Sequence, residues 1–510
     1  MSGSVARAGW SRRSFIQASA ALAAAGAVAP ALASCTTDPA TAATTTGPPG
    51  PSTGVFAELD AKITAGMTAH AVPGVAVAVW YQGKEYLKGY GVTSLADPQP
   101  VTADTAFRIA STTKTFTGTA MMRLVEAGKV NLDATVRTYL PTFATSDPAV
   151  AQKVTVRQLL NHTAGWLGEY LQDFGRGDDA LAQFTAGVAR LPQLTAPGST
   201  TFYQNSGMAV AGRVVEVVHG STYEQSVQDL VLDPLGLTRT RFFTDQLVGY
   251  PLAASHSVVD GKALLDTSFW YLPRSLNPTG GLMSTARDQL RFARFHLGLI
   301  QGEDGKPVLS PASLAAMRSP VGPAATLLME LKGFGVTWML RPTAEGVDIV
   351  EHGGDWAGQH SRLLMVPGKD FAITLLTNSD GGRAMGTELF SNDGMLTAFT
   401  GLHNPPVVPQ VRSPEQLAPF TGSYTSQVVV FDGSTVEDTV RFGPYQGRLR
   451  TLNPDGTPED ASTLAFYRDN YAVPVDDKGT VADGRSDFIV APDGSVQWYR
   501  RGGRMYRKSA

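Results

Sequence analysis

One cysteine in 510 residues leaves no partner for an intrachain disulfide and excludes a Cys-based metal cluster. Taken alone, that scarcity fits a reducing compartment. Charge of one sign is scarce too: 42 Lys+Arg against 45 Asp+Glu give a net −3 with no long basic run, which argues against a nucleic-acid partner. No H-E-x-x-H occurs, and His256 and His360 have no partner at metal-ligand spacing, so nothing supports zinc and no cofactor is implied. No internal repeat is present. What remains is length and apolar content. At roughly 100–200 residues per domain the chain suggests two to four units, and 43% apolar side chains allow one large core.

The first 35 residues change the meaning of the lone thiol. Arg12 and Arg13 sit in Ser11-Arg12-Arg13-Ser14-Phe15-Ile16, followed by an Ala-rich stretch without charge until Asp38. A basic start, a weakly apolar middle and small residues describe an export signal, and the paired arginines resemble a twin-arginine translocation signal. The stretch ends Leu32-Ala33-Ser34-Cys35, similar to a bacterial lipobox, in which Cys35 is acylated and becomes the new N-terminus. The alternative is an uncleaved anchor helix with an incidental cysteine. Both readings place the protein outside the cytoplasm and tied to a membrane. Residues 36–54 hold seven Thr, four Pro and three Gly among nineteen, a composition that buries no core and reads as an extended tether. Gly50-Pro51-Ser52-Thr53-Gly54 fits G-x-S-x-G, but that pattern needs a strand before it and a helix after it, and here it lies in the tether.

Beyond the tether, Phe56, Leu59, Ile63 and Met67 predict an amphipathic helix. Pro73–Tyr81 and Glu85–Tyr90 predict strands joined at Gln82-Gly83. A short strand at Phe107–Ala110 leads into Ser111 and a helix closing at Gly128, and helical patterns recur at Val156–Asn161, Met208–Val218 and Asp288–Leu297. Strands return at Gly335–Leu340, Val347–Glu351, Ser361–Val366 and Phe371–Thr377. Strands at both ends with helices between them imply one sheet whose halves come from distant sequence. Asn404-Pro405-Pro406 and Pro409 mark a boundary at 403–412. After it come short strands at Val428–Phe431, Thr439–Phe442, Asp487–Val490, Val496–Arg500 and Arg504–Arg507, with turns at Asp432-Gly433, Asp493-Gly494 and Gly502-Gly503. They predict a small antiparallel β domain. Arg500, Arg501, Arg504, Arg507 and Lys508 read as a solvated basic hairpin, with contact to anionic lipid or cell wall as the other possibility.

Three patterns could carry chemistry. Ser111-Thr112-Thr113-Lys114 is S-x-x-K at a helix start, where residues three apart share a face. The positive helix end favours an oxyanion beside the serine, and a neutral Lys114 could remove the hydroxyl proton. About one such pattern is expected by chance in a chain of this composition, so the motif alone is weak. Tyr203-Gln204-Asn205 lies in a loop ahead of an apolar helix. There Tyr203 could exchange a proton with a lysine, and Asn205 could orient the lysine or a substrate amide. His352-Gly353-Gly354-Asp355 follows the strand ending at Glu351, and its glycines permit close backbone approach. A second H-x-G, His296-Leu297-Gly298, falls in a helix and reads as structural.

Taken in order with Phe107-Arg108-Ile109-Ala110, Val154–Gly165 and Gly280-Gly281-Leu282-Met283-Ser284-Thr285-Ala286, these motifs resemble the serine β-lactamase-like hydrolases of the class C type. That family includes β-lactamases, D-Ala-D-Ala carboxypeptidases, D-aminopeptidases and carboxylesterases. The resemblance covers about residues 55–400. The segment from Leu417-Ala418-Pro419-Phe420-Thr421-Gly422-Ser423-Tyr424 is similar to the lipocalin-like β domain often appended to such enzymes. It implies an α/β fold with an antiparallel sheet and an all-helical subdomain over 55–402, and a small antiparallel β domain over 413–510. It also implies Ser111 as the acylated nucleophile, Lys114 as proton acceptor, Tyr203 as proton relay and Asn205 as holder of Lys114 and substrate. His352 stands where many β-lactamases carry the Lys of K-T-G. The oxyanion hole would be the N–H groups of Ser111 and Asp355, with Gly353 and Gly354 beside it.

Histidine is mostly neutral at pH 7 and anchors a carboxylate less well than lysine, which argues against an efficient β-lactamase. A negative charge on Asp355 would disfavour an oxyanion unless it points away. Neither S-D-N nor E-x-x-L-N occurs, which argues against a class A mechanism. His162 and Thr163 read as structural. The expectation is an exported, lipid-anchored serine hydrolase acting on a small ester, amide or peptide. The rivals are a D-Ala-D-Ala carboxypeptidase or β-lactamase, and a catalytically idle ligand-binding protein. Replacing the thiol tests the address: Cys35→Ser is expected to move the protein from the membrane to the soluble fraction, and a variant that stays with the membrane assigns the attachment elsewhere.

Overall fold

Alternation along the first strand separates two hydrophobic layers. In β1 (Gly74–Tyr81), Val75, Val77 and Val79 face one way and Ala76 and Ala78 the other. The valines pack on α1 (Val55–Ala69), which buries Phe56, Leu59 and Ile63 at helical spacing. The alanines face the larger, helix-rich core. These positions come from a computed structural model that describes residues 54–510, apart from Phe269, Asp393, Asp477, Asp483 and Ala510. The export signal, Cys35 and the tether through Thr53 lie outside the described residues.

The chain then runs through β2 (Lys84–Gly91), β3 (Phe107–Arg108), α2 (Thr113–Glu126), α3 (Asn205–His219), β4 (Met283–Ser284) and α4 (Ala286–Leu297). It returns to the sheet with β5 (Gly333–Phe334), β6 (Met339–Pro342), β7 (Asp348–Trp356), β8 (Gln359–Val366) and β9 (Phe371–Thr377). The seven-stranded sheet has the order β2-β1-β9-β8-β7-β6-β5, antiparallel throughout, with Val75 opposite Thr377. The same alternation sorts Leu363 and Met365 of β8 into the helical core and Leu364 and Val366 against the α1 side.

Two expected strands differ. Gly335–Leu340 is not one strand. Thr337 has φ 66°, and a turn closes with the Gly335 N–H donating to the Trp338 carbonyl at 2.8 Å. The turn presses Thr337 onto α2 at Gly118, where a Cβ would fall 2.4 Å from its hydroxyl. The strand expected to stop at Glu351 continues to Trp356, so His352–Asp355 lie within β7 and not after it.

The contacts divide the described chain into two units. Val408–Ser426 and Glu437 onward form one, and the chain through Val407 together with Gln427–Val436 forms the other. The smaller unit holds most of a closed eight-stranded antiparallel barrel, the facing ends of its first two strands belonging to Gln427–Val436: β10 (Gly422–Val429), β11 (Thr435–Tyr445), β12 (Arg448–Leu452), β13 (Pro458–Arg468), β14 (Tyr471–Val475), β15 (Ser486–Val490), β16 (Val496–Arg501) and β17 (Arg504–Lys508). Phe420, Tyr424, Phe442, Phe466, Phe488 and Tyr499 pack its interior. The basic hairpin is not uniformly solvated: Arg500 is 3% exposed and forms a double hydrogen bond with Asp487 at 2.8 and 2.7 Å. Among the described residues no helix is long and apolar enough to cross a membrane, and no His/Cys/Asp/Glu group could hold a metal ion.

Candidate active site

Ser111 sits in a 3-10 turn, Ala110–Thr112, that runs directly into α2. Ala110 has φ 41°, a conformation that costs a non-glycine residue about 1–3 kcal/mol and must be held from outside. Two clamps hold it. On one side Ser361 of β8 donates its hydroxyl to the Ile109 carbonyl at 2.7 Å and bonds the Thr112 hydroxyl at 2.9 Å. On the other, the Ile109 N–H donates to the Leu282 carbonyl at 3.1 Å, and the Leu282 N–H donates to Thr113 Oγ1 at 3.1 Å. β7 comes close enough that a Cβ on Gly354 would lie 2.0 Å from the Ile109 oxygen and 2.8 Å from the Ser111 nitrogen. Only glycine fits there.

Lys114 follows one turn on and is fully buried. Its ammonium donates to Ser111 Oγ at 3.0 Å and to the Thr279 carbonyl at 2.7 Å. The surrounding helix is rich in threonine because a buried hydroxyl can be satisfied locally. Thr115 donates to the Thr112 carbonyl and Thr119 to the Thr115 carbonyl, each at 2.8 Å. Burial pushes the Lys114 pKa down to about 7, with the Glu169 carboxylate pulling the other way.

The face of Tyr203 lies over Lys114, with Nζ 4.8 Å from the ring centre. The ring of Tyr203 also stacks on His162 at 4.6 Å. His162 has φ 61°; its carbonyl accepts the Phe202 N–H at 3.0 Å and its Nδ1 accepts the Gln204 N–H at 3.0 Å. A residue that reads as structural in the sequence therefore brackets Tyr203 on three sides. Accepting at Nδ1 places the His162 proton on Nε2. His352 has the opposite tautomer: its Nδ1 donates to the Gly353 carbonyl at 2.7 Å, leaving the lone pair on Nε2. Its ring centre is 6.3 Å from that of Tyr203. Burial first, and Lys114 second, hold His162 well below the usual imidazole range and push His352 down to about 3. Neither Nε2 has a hydrogen-bond partner among the described residues.

Asn205 opens α3, but its amide donates to both oxygens of Glu169 at 3.3 Å, while Thr279 and Ser111 take the Lys114 bonds. Glu169, 6% exposed, escaped the sequence reading because it belongs to no motif. Asp355 has its carboxylate on His360 Nδ1 at 2.6 Å. Burial would raise its pKa, yet His360 with Arg383 and Arg362 outweighs that and holds it well below the usual carboxylate range. The structure thus brings Ser111, Lys114, Tyr203, His352 and Gly354 together. Asn205 stands behind them on Glu169, and the Asp355 side chain is engaged elsewhere.

Residues 59–394 match the Beta-lactamase family. Penicillin-binding protein 4 of Amycolatopsis lactamdurans is 37% identical over 361 residues, covering 70% of this chain and 94% of its own length. The unguisins hydrolase ungD of Aspergillus violaceofuscus (strain CBS 115571) is 26% identical over 362 residues, 65% of this chain and 63% of that protein. Among solved structures, SurE superposes with a TM-score of 0.67 at 26% identity, covering 89% of this chain and all of SurE. A β-lactamase/D-alanine carboxypeptidase of Pseudomonas syringae shares the fold at TM-score 0.54 and 20% identity, covering 65% of this chain and 97% of its own. The close approach of β7 gives a direct test. Gly354→Ala is expected to lower the rate of any Ser111-dependent reaction by about 100-fold or more, because displacing a reacting group by an ångström costs that much. Steady-state kinetics of the folded variant measure it, and a rate within a few-fold of the parent would show that the Ala110–Thr112 turn does not depend on this contact.

Proposed function

The chain belongs to the beta-lactamase family, and on that premise we propose that it is an exported serine hydrolase that cleaves an ester or amide through a covalent acyl-enzyme on Ser111. The observation that carries the reading is Lys114, 3.0 Å from the serine oxygen and pushed down to about 7 by burial. A base whose pKa lies near the working pH is available in its neutral form and still holds the proton it takes. In this reading Ser111 Oγ bonds to the acyl carbon as its proton passes to Lys114 Nζ. The carbonyl oxygen becomes an oxyanion facing the Ser111 and Asp355 N–H groups. Its collapse breaks the bond to the leaving group, which takes a proton by way of Tyr203. Water then attacks the acyl-serine, the acid departs and Ser111 regains its proton.

The neutral His352 offers no cation to a substrate carboxylate, which favours a small ester or amide over a β-lactam or a C-terminal D-Ala peptide. The cell-wall reading, a D-Ala-D-Ala carboxypeptidase or β-lactamase, is second. It draws on the 37% identity to a protein named for penicillin binding, and on a lipid anchor at Cys35 that would hold the site beside peptidoglycan. Ligand capture alone gives no reason to press a desolvated lysine against a serine.

Incubation of the protein and of Ser111→Ala with a fluorescent penicillin, p-nitrophenyl acetate and D-Ala-D-Ala peptides separates these readings. The expected result is ester turnover and an acyl mass increment on the parent alone. Penicillin labelling without turnover would favour the peptidase, and identical behaviour of the two proteins would remove Ser111 as nucleophile. The pH profile gives a second check. Proton abstraction needs neutral Lys114, so kcat/KM is expected to rise with pH through a midpoint near 7. A profile flat from pH 5 to 9 would exclude this lysine as the base.

A further inference from the structure

Between Leu160 and Ala180 the chain has no helix or strand of its own, yet Glu169, the charged neighbour of Asn205 and Lys114, lies in the middle of that stretch. Its backbone is held by ten residues from more than 250 positions further on. Gln427–Val436, the tip of the hairpin between β10 and β11, belongs to the larger unit. The Val429 N–H donates to the Glu169 carbonyl at 2.9 Å, and the Val429 carbonyl accepts the Leu171 N–H at 2.8 Å. The Phe431 carbonyl accepts the Asp173 N–H at 2.9 Å. Bonds to 169, 171 and 173 from 429 and 431 form a short parallel ladder.

The ladder sets which way the side chains point. Tyr170 and Val429 enter the hydrophobic core, where Tyr170 meets Phe184 at 4.6 Å. Glu169, one residue earlier, is therefore turned to the opposite side, where both its oxygens accept from Asn205. The turn at the tip is fitted closely: Gly433 has φ 82°, and a Cβ there would lie 2.8 Å from the Gln172 amide. The groups that face Lys114 are Ser111 and the carbonyl of Thr279, the ring of Tyr203, the imidazoles of His162 and His352, and Glu169. The two imidazoles are held neutral by burial, so the carboxylate is the charged group in that set.

We propose that the segment Gln427–Val436 completes the active site by adding a strand to Glu169–Asp173, so that Glu169 serves as a positioning residue that fixes Asn205 and places a compensating negative charge beside the Lys114 ammonium formed when Ser111 loses its proton. The inference rests on Lys114 as the proton acceptor. Without the carboxylate the buried ammonium is less favoured, and the amine keeps its neutral form to lower pH.

The test follows the acylation burst with p-nitrophenyl acetate from pH 5 to 9 in the full-length protein, Glu169→Gln and Val429→Pro, with thermal unfolding as a check on folding. For Glu169→Gln the midpoint of the rising limb is expected to move down by about one pH unit, and the plateau to fall about tenfold. Val429→Pro, which removes the N–H that bonds Glu169, is expected to shift the midpoint in the same direction by less. A purely structural role would lower the plateau and leave the midpoint in place, and a coincident midpoint in Glu169→Gln would overturn the proposal. If Val429→Pro does not fold, hydrogen exchange of the parent decides the strand. The Leu171 and Asp173 amides are expected to be protected, and exchange at loop rates would sink the idea. A parent that gives no burst and no acyl mass on Ser111 would overturn the hydrolase reading and this inference with it, whereas a normal parent with unshifted variants would overturn this inference alone.

Discussion

The desolvation of one amine governs the site. In water the Lys114 side chain would keep its proton at neutral pH and could not act as a base. Full burial lowers its pKa from 10.5 to about 7, which corresponds to about 5 kcal/mol of disfavour for the ammonium. That cost has to be borne by the surrounding fold, and the packing of α2 shows how. The helix is buried from Thr113 to Met122, and its threonines find partners within it or on its neighbours: Thr115 and Thr119 donate to carbonyls one turn earlier, Thr117 donates to the Pro278 carbonyl, and Thr113 accepts the Leu282 N–H. The lysine keeps two partners, a carbonyl and the serine it would deprotonate. No carboxylate touches it directly among its hydrogen bonds; a direct ion pair would have restored the ammonium and removed the base.

Backbone approach is the second constraint. The strained Ala110 puts Ser111 at the start of the helix, and β7 comes within contact of that turn at Gly354. Gly354 permits the approach, and Ser361 on the neighbouring strand fastens the turn through the Ile109 carbonyl. The pairing Gly354↔Ser361 in the β7–β8 register means that one pair of cross-strand residues both admits and clamps the turn that carries Ser111. Register within the sheet and geometry at the serine are therefore the same requirement.

What was legible in the sequence was local. The spacing of Phe56, Leu59 and Ile63 and the Val/Ala alternation of β1 carry their own periodicity, and S-x-x-K needs only one helical turn to bring its two side chains together. What was not legible depends on residues far apart in the chain. The expected strand at Gly335–Leu340 is broken because Thr337 has to fit against Gly118 of α2, which no pattern within the strand announces. Arg500 reads like the other basic residues of its hairpin until Asp487 is found across β15 and β16. The strands β12, β13 and β14 lack clean alternation, and barrel closure pairs them nonetheless. Glu169 carries no motif, and its relation to Asn205 and to Val429 exists only in the folded chain.

Charge near the serine shows why the distinction between local and distant matters for chemistry. The sequence puts Asp355 next to the proposed oxyanion position, where its charge would oppose the reaction. The fold turns the carboxylate onto His360, with Arg383 and Arg362 adding positive potential. Its backbone can then remain in β7 beside Gly354 while its charge is compensated away from the serine. The two buried histidines lose their charge for the same reason that Lys114 does, and their opposite tautomers offer a donor and an acceptor on either side of Tyr203. A pocket whose histidines are neutral and whose aspartate is occupied leaves the serine–lysine pair to respond chiefly to burial and to Glu169. Both of those are set by packing between distant segments, so the basicity of the lysine is a property of the fold and not of the motif that contains it.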